Sequence, residues 1–259
     1  VTVVLRDGSS VDDPRLDRIV SGHTEHLERF PLTLATLPSE PTAMVIGVNW
    51  YANFDRPVDL KIKGVTRKVI GRGPLGQVRG GHATCLRHWL LRDTLGWYRY
   101  YNQGTEGRCV EFATLRAMSL HNRGRYDITS RWHYHEMQRI DYWAGGSYPG
   151  ASPQYEGTSV DAGLNVMRRY GAIPAKLFGR PISPEEAPSL VKPAEGIAAF
   201  RWALTWDDVR AALGVPDWLP GVPMLNSWGN GYPKETLLLD EAGARILRED
   251  GEFGLITDR

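Results

Sequence analysis

The sequence predicts an α+β fold, a helical middle flanked by two β-rich stretches, and three observations carry that expectation. Residues 44–51 are rich in β-branched and aromatic side chains between turn residues. Val110, Ala113, Ala117 and Leu120 recur at helical spacing. Past residue 193 short strand-like runs return. The expected organisation is an N-terminal extension over 1–41 and one domain over 42–259. Within that domain, 42–107 and 194–259 form most of a β-rich half, 108–193 form most of a helical half, and a cleft separates the two.

Along the chain, the opening Val-rich run, the turn Asp7-Gly8-Ser9 and the polar stretch through Asp12-Asp13-Pro14 read as an extension with one short helix. Strands are expected over 44–51, 60–70 and 83–89. A helix over 109–122 is followed by a second over 129–142. A third has its N-cap at Thr158 or Ser159, an apolar stripe of Val160, Leu164 and Met167, and a stop at Gly171 ahead of Pro174. The proline-rich 181–193 reads as a connector. Beyond it the pattern gives a helix over 206–213, a strand over 222–227 with a hairpin partner over 236–239, a helix over 240–248 and a last strand near 253–257. There is no internal repeat and no low-complexity tract.

Composition narrows the function classes. With 42% hydrophobic and 24% charged residues, the chain has enough apolar material for a buried core. Its 31 basic residues balance 30 acidic ones, so no net field draws it to nucleic acid or to an anionic membrane. Apolar runs such as 44–48 and 237–239 fall far short of the roughly 20 residues that span a bilayer. The first residues carry no signal-peptide pattern, so the chain as it stands is expected to be soluble. The two cysteines, Cys85 and Cys109, exclude a disulfide scaffold, and a single bridge would consume the thiol on which the chemistry turns. Nine tryptophans and 28 glycines point to a loop-rich fold with aromatic packing.

The stretch Gln103-Gly104-Thr105-Glu106-Gly107-Arg108-Cys109 places a thiol in the first turn of a helix, behind a glycine-containing loop. Unpaired N–H groups and the positive end of the helix dipole favour thiolate there, so the sequence predicts a Cys109 pKa well below the free value of about 8.5. The Cys109 backbone N–H and the Gln103 amide are placed to converge on an oxyanion. A nucleophilic thiol needs a base, and seven histidines compete for that role. His23 and His26 fall in the polar extension. His121 lies too far along the helix. His133 and His135 read as an amphipathic surface. His82, where Gly80-Gly81 opens into a strand, is placed to face a neighbour across a cleft. Asn226, in Asn226-Ser227-Trp228-Gly229, has a carbonyl suited to fix the tautomer of the base, and Trp228 is suited to shield that bond from water.

Two weaker patterns are set aside. His82, Cys85 and His88 have spacing that suggests zinc, but strand alternation turns Cys85 away from the two histidines. Gly71-Arg72-Gly73-Pro74-Leu75-Gly76 spells a dinucleotide loop without the helix that should follow. No metal and no cofactor are therefore expected.

Taken together, the Gln-Gly-x-x-Gly-x-Cys element at 103–109, Gly81-His82-Ala83, Asn226-Ser227-Trp228-Gly229 and Glu156-Gly157-Thr158-Ser159 resemble the papain family of cysteine peptidases. The resemblance implies a papain-like fold with the active site in the cleft and a peptide or protein substrate. It also implies Cys109 as nucleophile, His82 as base, Asn226 as orienter, Gln103 as oxyanion donor, and substrate contacts at Gly157, Thr158 and Trp228. The Asn49-Trp50-Tyr51 segment and Gly251-Glu252 look most like bacterial and bacteriophage members, which implies a virion-associated or secreted setting. Three departures stand out. The family order is Cys, His, Asn, whereas here it is His82, Cys109, Asn226, as a circular permutation would produce. Residue 110 is Val where an aromatic is often found, and Glu111 stands close enough to oppose a thiolate. Three functions follow as expectations: a cysteine endopeptidase, the same chemistry aimed at peptidoglycan peptides as an amidase or endopeptidase, and a non-catalytic module with virion assembly partners.

Overall fold

A computed structural model describes residues 2–4, 10–12, 43–89, 102–122, 124, 126–175, 181–203, 205–233, 235–249 and 252–257. Strands β1 (Thr2–Val4) and β2 (Ser10–Asp12) pair as a separate antiparallel hairpin. Strands β3 (Ala43–Tyr51), β4 (Val58–Ile62), β5 (Val65–Ile70) and β6 (Val78–Arg87) precede helices α1 (Cys109–Asn122), α2 (Trp132–Ile140) and α3 (Val160–Tyr170). Then come β7 (Ala199–Trp202), α4 (Trp206–Ala212), β8 (Gly221–Leu225), β9 (Thr236–Leu239), α5 (Asp240–Glu249) and β10 (Glu252–Thr257).

The α+β class holds. Eight strands form one sheet in the order β4-β5-β9-β8-β6-β3-β10-β7, antiparallel except for the parallel pair β5–β9. Strands from before and after the helical segment alternate two by two across it. The apolar run of β3 reflects its place: most of its residues are buried, pointing to either face. Helix α1 packs on β6 and β3, and α2 and α3 pack on α1. Every α1 residue from Val110 to Leu120 is consequently buried; of its polar members Glu111, Arg116 and Ser119 are hydrogen-bonded, whereas Thr114 Oγ1 has no partner among the described residues.

Helices α1 and α3 approach closely at Gly163, where an added Cβ would lie 2.6 Å from Val110 Cγ1 and 3.1 Å from Thr114 Oγ1. Gly163→Val is therefore expected to cost about 1–3 kcal/mol of stability by overpacking. A urea unfolding midpoint equal to that of the wild type would count against this contact.

Several boundaries differ from the sequence reading. The run 60–70 is two strands, β4 and β5, reversed by Lys63 and Gly64, both with positive φ. Helix α2 starts at Trp132, after Arg131 in the left-handed region. Strand β7, a short run that the pattern did not isolate, pairs with β10. The short helix expected within 1–40 lies outside the described residues, as does Gly251. No described helix is long and apolar enough to cross a membrane.

Candidate active site

Cys109 opens α1 and is partly exposed, in contrast to the fully buried Cys85. The loop before it is pinned at several points. The Gly107 N–H donates to Glu156 Oε2 at 2.6 Å, and only glycine fits at 107, since a Cβ would meet Glu156 Cβ at 2.8 Å and Gly157 N at 2.9 Å. Arg108, buried, donates through Nε to Glu111 Oε2 at 2.7 Å and also reaches the Ile128 carbonyl and Glu106. The N–H groups of Cys109 itself, of Val110 and of Ala83 bear on the sulfur. The first two are the free donors of a helix start. The third belongs to the residue after His82, so the thiol lies against the strand segment that carries the imidazole.

That approach exists because β6 pairs with β8 only at Cys85↔Leu225 and Leu86↔Met224. Strand β8 ends at Leu225, and its first residue beyond, Asn226, turns its side chain to His82, with Nε2 2.8 Å from Asn226 Oδ1. Asn226 Oδ1 also accepts the Ser227 N–H at 2.8 Å. An oxygen that receives a backbone N–H is an acceptor, so His82 Nε2 carries the proton and Nδ1 keeps the lone pair. The Arg116 guanidinium, from α1, donates to the Asn226 backbone carbonyl.

Aromatic rings wall this pair. The His82 ring centroid lies 4.9 Å from that of Trp50, edge-on, and 4.9 Å from that of Trp228. Trp50 and Trp228 meet at 4.6 Å, and Tyr232 packs on Trp228 at 5.2 Å. Trp228 therefore acts on the imidazole itself. Trp50, which the sequence reading used only as part of a resemblance, is its counterpart from β3, two residues beyond the direct β6 partner Val48↔His82.

Gln103 is held by the segment after Asn226. Its Oε1 accepts from Ser227 Oγ at 2.6 Å, its backbone N–H donates to the Ser227 carbonyl at 2.8 Å, and its Nε2 gives one proton to the Glu106 carbonyl at 3.0 Å. One amide proton remains. Gly157 and Thr158 are bound up in scaffold contacts: the Gly157 N–H donates to the Tyr134 hydroxyl at 2.7 Å, its carbonyl accepts from Gln138 at 3.0 Å, and the Thr158 hydroxyl donates to Asp141 at 2.6 Å. Sequence reasoning missed these three α2-side partners. Their signal in the sequence is a Tyr, Gln and Asp on or just past a helix whose polar face reads as surface.

Charge states depart from the sequence reading at two places. Burial pushes the Cys109 thiol up, against the pull of the three N–H groups, so the helix start does not yield the depressed pKa expected of it. Burial likewise lowers His82 to about 4, the bond to Asn226 only partly opposing it. Both groups rest neutral near pH 7. Glu111 is fully buried, raised to about 7 by burial and drawn back by Arg108, and it faces that arginine. His133 is corrected outright: it is not a surface residue but 0% exposed, bonded through Nε2 to the Gly171 carbonyl at 3.0 Å and lowered to about 4 by burial. The adjacent His135 is half-buried.

Among the described residues no group of three or more His, Cys, Asp or Glu side chains is arranged to hold a metal ion. Compared with protein-family models, curated proteins and solved structures, the chain matches none of them.

Proposed function

We propose that this chain is a papain-like cysteine hydrolase, its His-bearing strand permuted ahead of the nucleophile, which cleaves peptide bonds through an acyl-enzyme. The observation that carries the reading is the tautomer-fixed bond from His82 Nε2 to Asn226 Oδ1, beneath two tryptophans and beside a strand whose next residue, Ala83, faces the Cys109 sulfur. Chain order is no obstacle, because such a triad is defined by geometry and role.

Each residue then has a task. As Cys109 Sγ attacks the scissile carbonyl, its proton passes to the lone pair on His82 Nδ1. Asn226 holds the other nitrogen and so aims the ring. The free amide proton of Gln103 and the Cys109 N–H take the oxyanion. Collapse of the adduct expels the amine, which takes the proton from His82 Nδ1. Water then hydrolyses the thioester with His82 again as base.

The test is a p-nitrophenyl ester burst. One equivalent of p-nitrophenolate and a mass increase of one acyl group on the Cys109 peptide are expected, with neither in Cys109→Ala. Absence of burst and adduct, together with no cleavage of casein or purified cell wall, would refute the reading. Casein against cell wall then separates protein from peptidoglycan peptide as substrate. Because His82 is neutral above about pH 4, kcat/KM should hold its base-dependent value down to that pH and fall below it; an acid limb centred near 6.5 would contradict the buried imidazole.

One observation favours the non-catalytic module: the raised thiol and the lowered imidazole leave no resting ion pair. A hydrolase with such a pair transfers its proton during attack. The burst decides between the two.

A further inference from the structure

Arg116 is only 2% exposed, one of the largest side chains in the core. It stands seven residues after Cys109 on α1, about 10 Å along the axis and within roughly 20° of the same face. The stripe that presents Cys109 in the first turn therefore presents a guanidinium two turns further on, at mid-helix. Its Nη1 donates to the Asn226 carbonyl, and its charge reaches the Cys85 thiol on β6, the residue paired with Leu225. Arg116 thus sits under the junction where β8 leaves β6.

From this placement, and resting on the hydrolase reading above, we infer that Arg116 is a positioning residue for the base. Asn226 is the first residue past its strand and would be free to turn about its backbone. Its Oδ1 is held by the Ser227 N–H and His82, and Arg116 holds its carbonyl. With both ends tied, the carboxamide stays aimed at Nε2, and the tie comes from the helix that carries Cys109. Nucleophile and orienter are fixed to one rigid element. An apolar side chain of similar size would fill the space without the desolvation that a guanidinium costs; what arginine adds is this directed donor.

The experiment is a double-mutant cycle. Arg116→Met is expected to lower kcat on the order of 10-fold with KM little changed, Arg116→Lys to recover part of the loss, and Arg116→Met added to Asn226→Ala to cost less than about 2-fold further, since the two act through one contact. Equal losses in both backgrounds would mean Arg116 only supports the fold, and the inference would fail. Arg116→Gln, neutral and too short to reach the carbonyl, replaces the methionine if that variant does not fold. A second readout is independent of turnover: the His82 Nε2–H resonance in ¹⁵N-histidine NMR should exchange faster in Arg116→Met or Arg116→Gln than in the wild type. An unchanged signal overturns the inference even if the wild type is active. An inactive, burst-free wild type whose His82 signal still responds to Arg116 overturns the hydrolase reading and leaves the positioning contact.

Discussion

Cys109→Ala is expected to lower turnover by roughly 10⁴-fold or more while leaving the unfolding midpoint almost unchanged. The two halves of that expectation have different causes. On the proposed mechanism turnover falls because the sulfur makes the covalent intermediate, and Cys85 does not stand in for it: that residue is fully buried, and burial pushes its thiol up to about 12. Stability falls little because Cys109, at the first turn of α1, only edges the core, so losing one sulfur atom opens little space. The histidine behaves differently. His82 packs between Trp50 and Trp228, so His82→Ala should lose comparable activity and also destabilise the protein. The double variant should be scarcely less active than either single one if Cys109 and His82 act as the proposed nucleophile and base, since such a pair works as a unit. Losses that multiply instead would show that the two residues work separately, and a Cys109→Ala protein with full activity would end the mechanism.

The sequence made the local elements plain and the convergence of the site only in part. The boundaries of α1 and the N-cap of α3 were legible because each has a chemical marker: helical spacing after Cys109, and Ser159 accepting the Ala162 N–H at 3.1 Å. Strand β9 was likewise bounded correctly. The turn at Lys63-Gly64 is hard to read because Val, Leu, Ile and Thr are interspersed with polar residues on both sides of it, a pattern that continues as one strand. His133 was misread because periodicity alone does not say which helix face is covered. Helix α2 packs against α1 and α3, and its polar face is turned to Gly171, Gly157 and Ser147 through His133, Tyr134 and Gln138. Arg116 and Ser227 were invisible for another reason. Their partners, Asn226 and Gln103, lie more than a hundred residues away, so their roles exist only once the sheet is assembled. The sign of the Cys109 shift is a similar case: the helix start is local and readable, while the burial that outweighs it exists only once the chain is folded.

Acidification from pH 7 to pH 4.5 is expected to destabilise the protein, and three buried groups that oppose one another contribute about 2 kcal/mol of that net loss, the half-buried His88 and His135, also lowered by burial, adding to it. His82 and His133 each titrate near 4 in the folded chain against an ordinary 6.5. The unfolded chain therefore binds their protons first, so their contribution is fully present above pH 6.5 and is lost as pH falls toward 4. Over this interval the pair removes about 5 kcal/mol. Glu111 has the opposite sign. Its pKa is raised from 4.5 to about 7, so the folded chain binds its proton first and acidification returns about 3 kcal/mol. Removing one group at a time separates these effects in urea unfolding at several pH values. His133→Gln, which keeps a donor for the Gly171 carbonyl, should make the profile between pH 4.5 and 7 flatter by about 2.5 kcal/mol. Glu111→Gln should steepen the acid loss by about 3 kcal/mol, because only the histidines then respond. Its baseline will also drop, since Arg108 loses one of its two charged partners, but the slope is the quantity that decides. A flatter profile in Glu111→Gln, or a steeper one in His133→Gln, would show that burial does not set these three titrations, and with them the neutral resting state of His82.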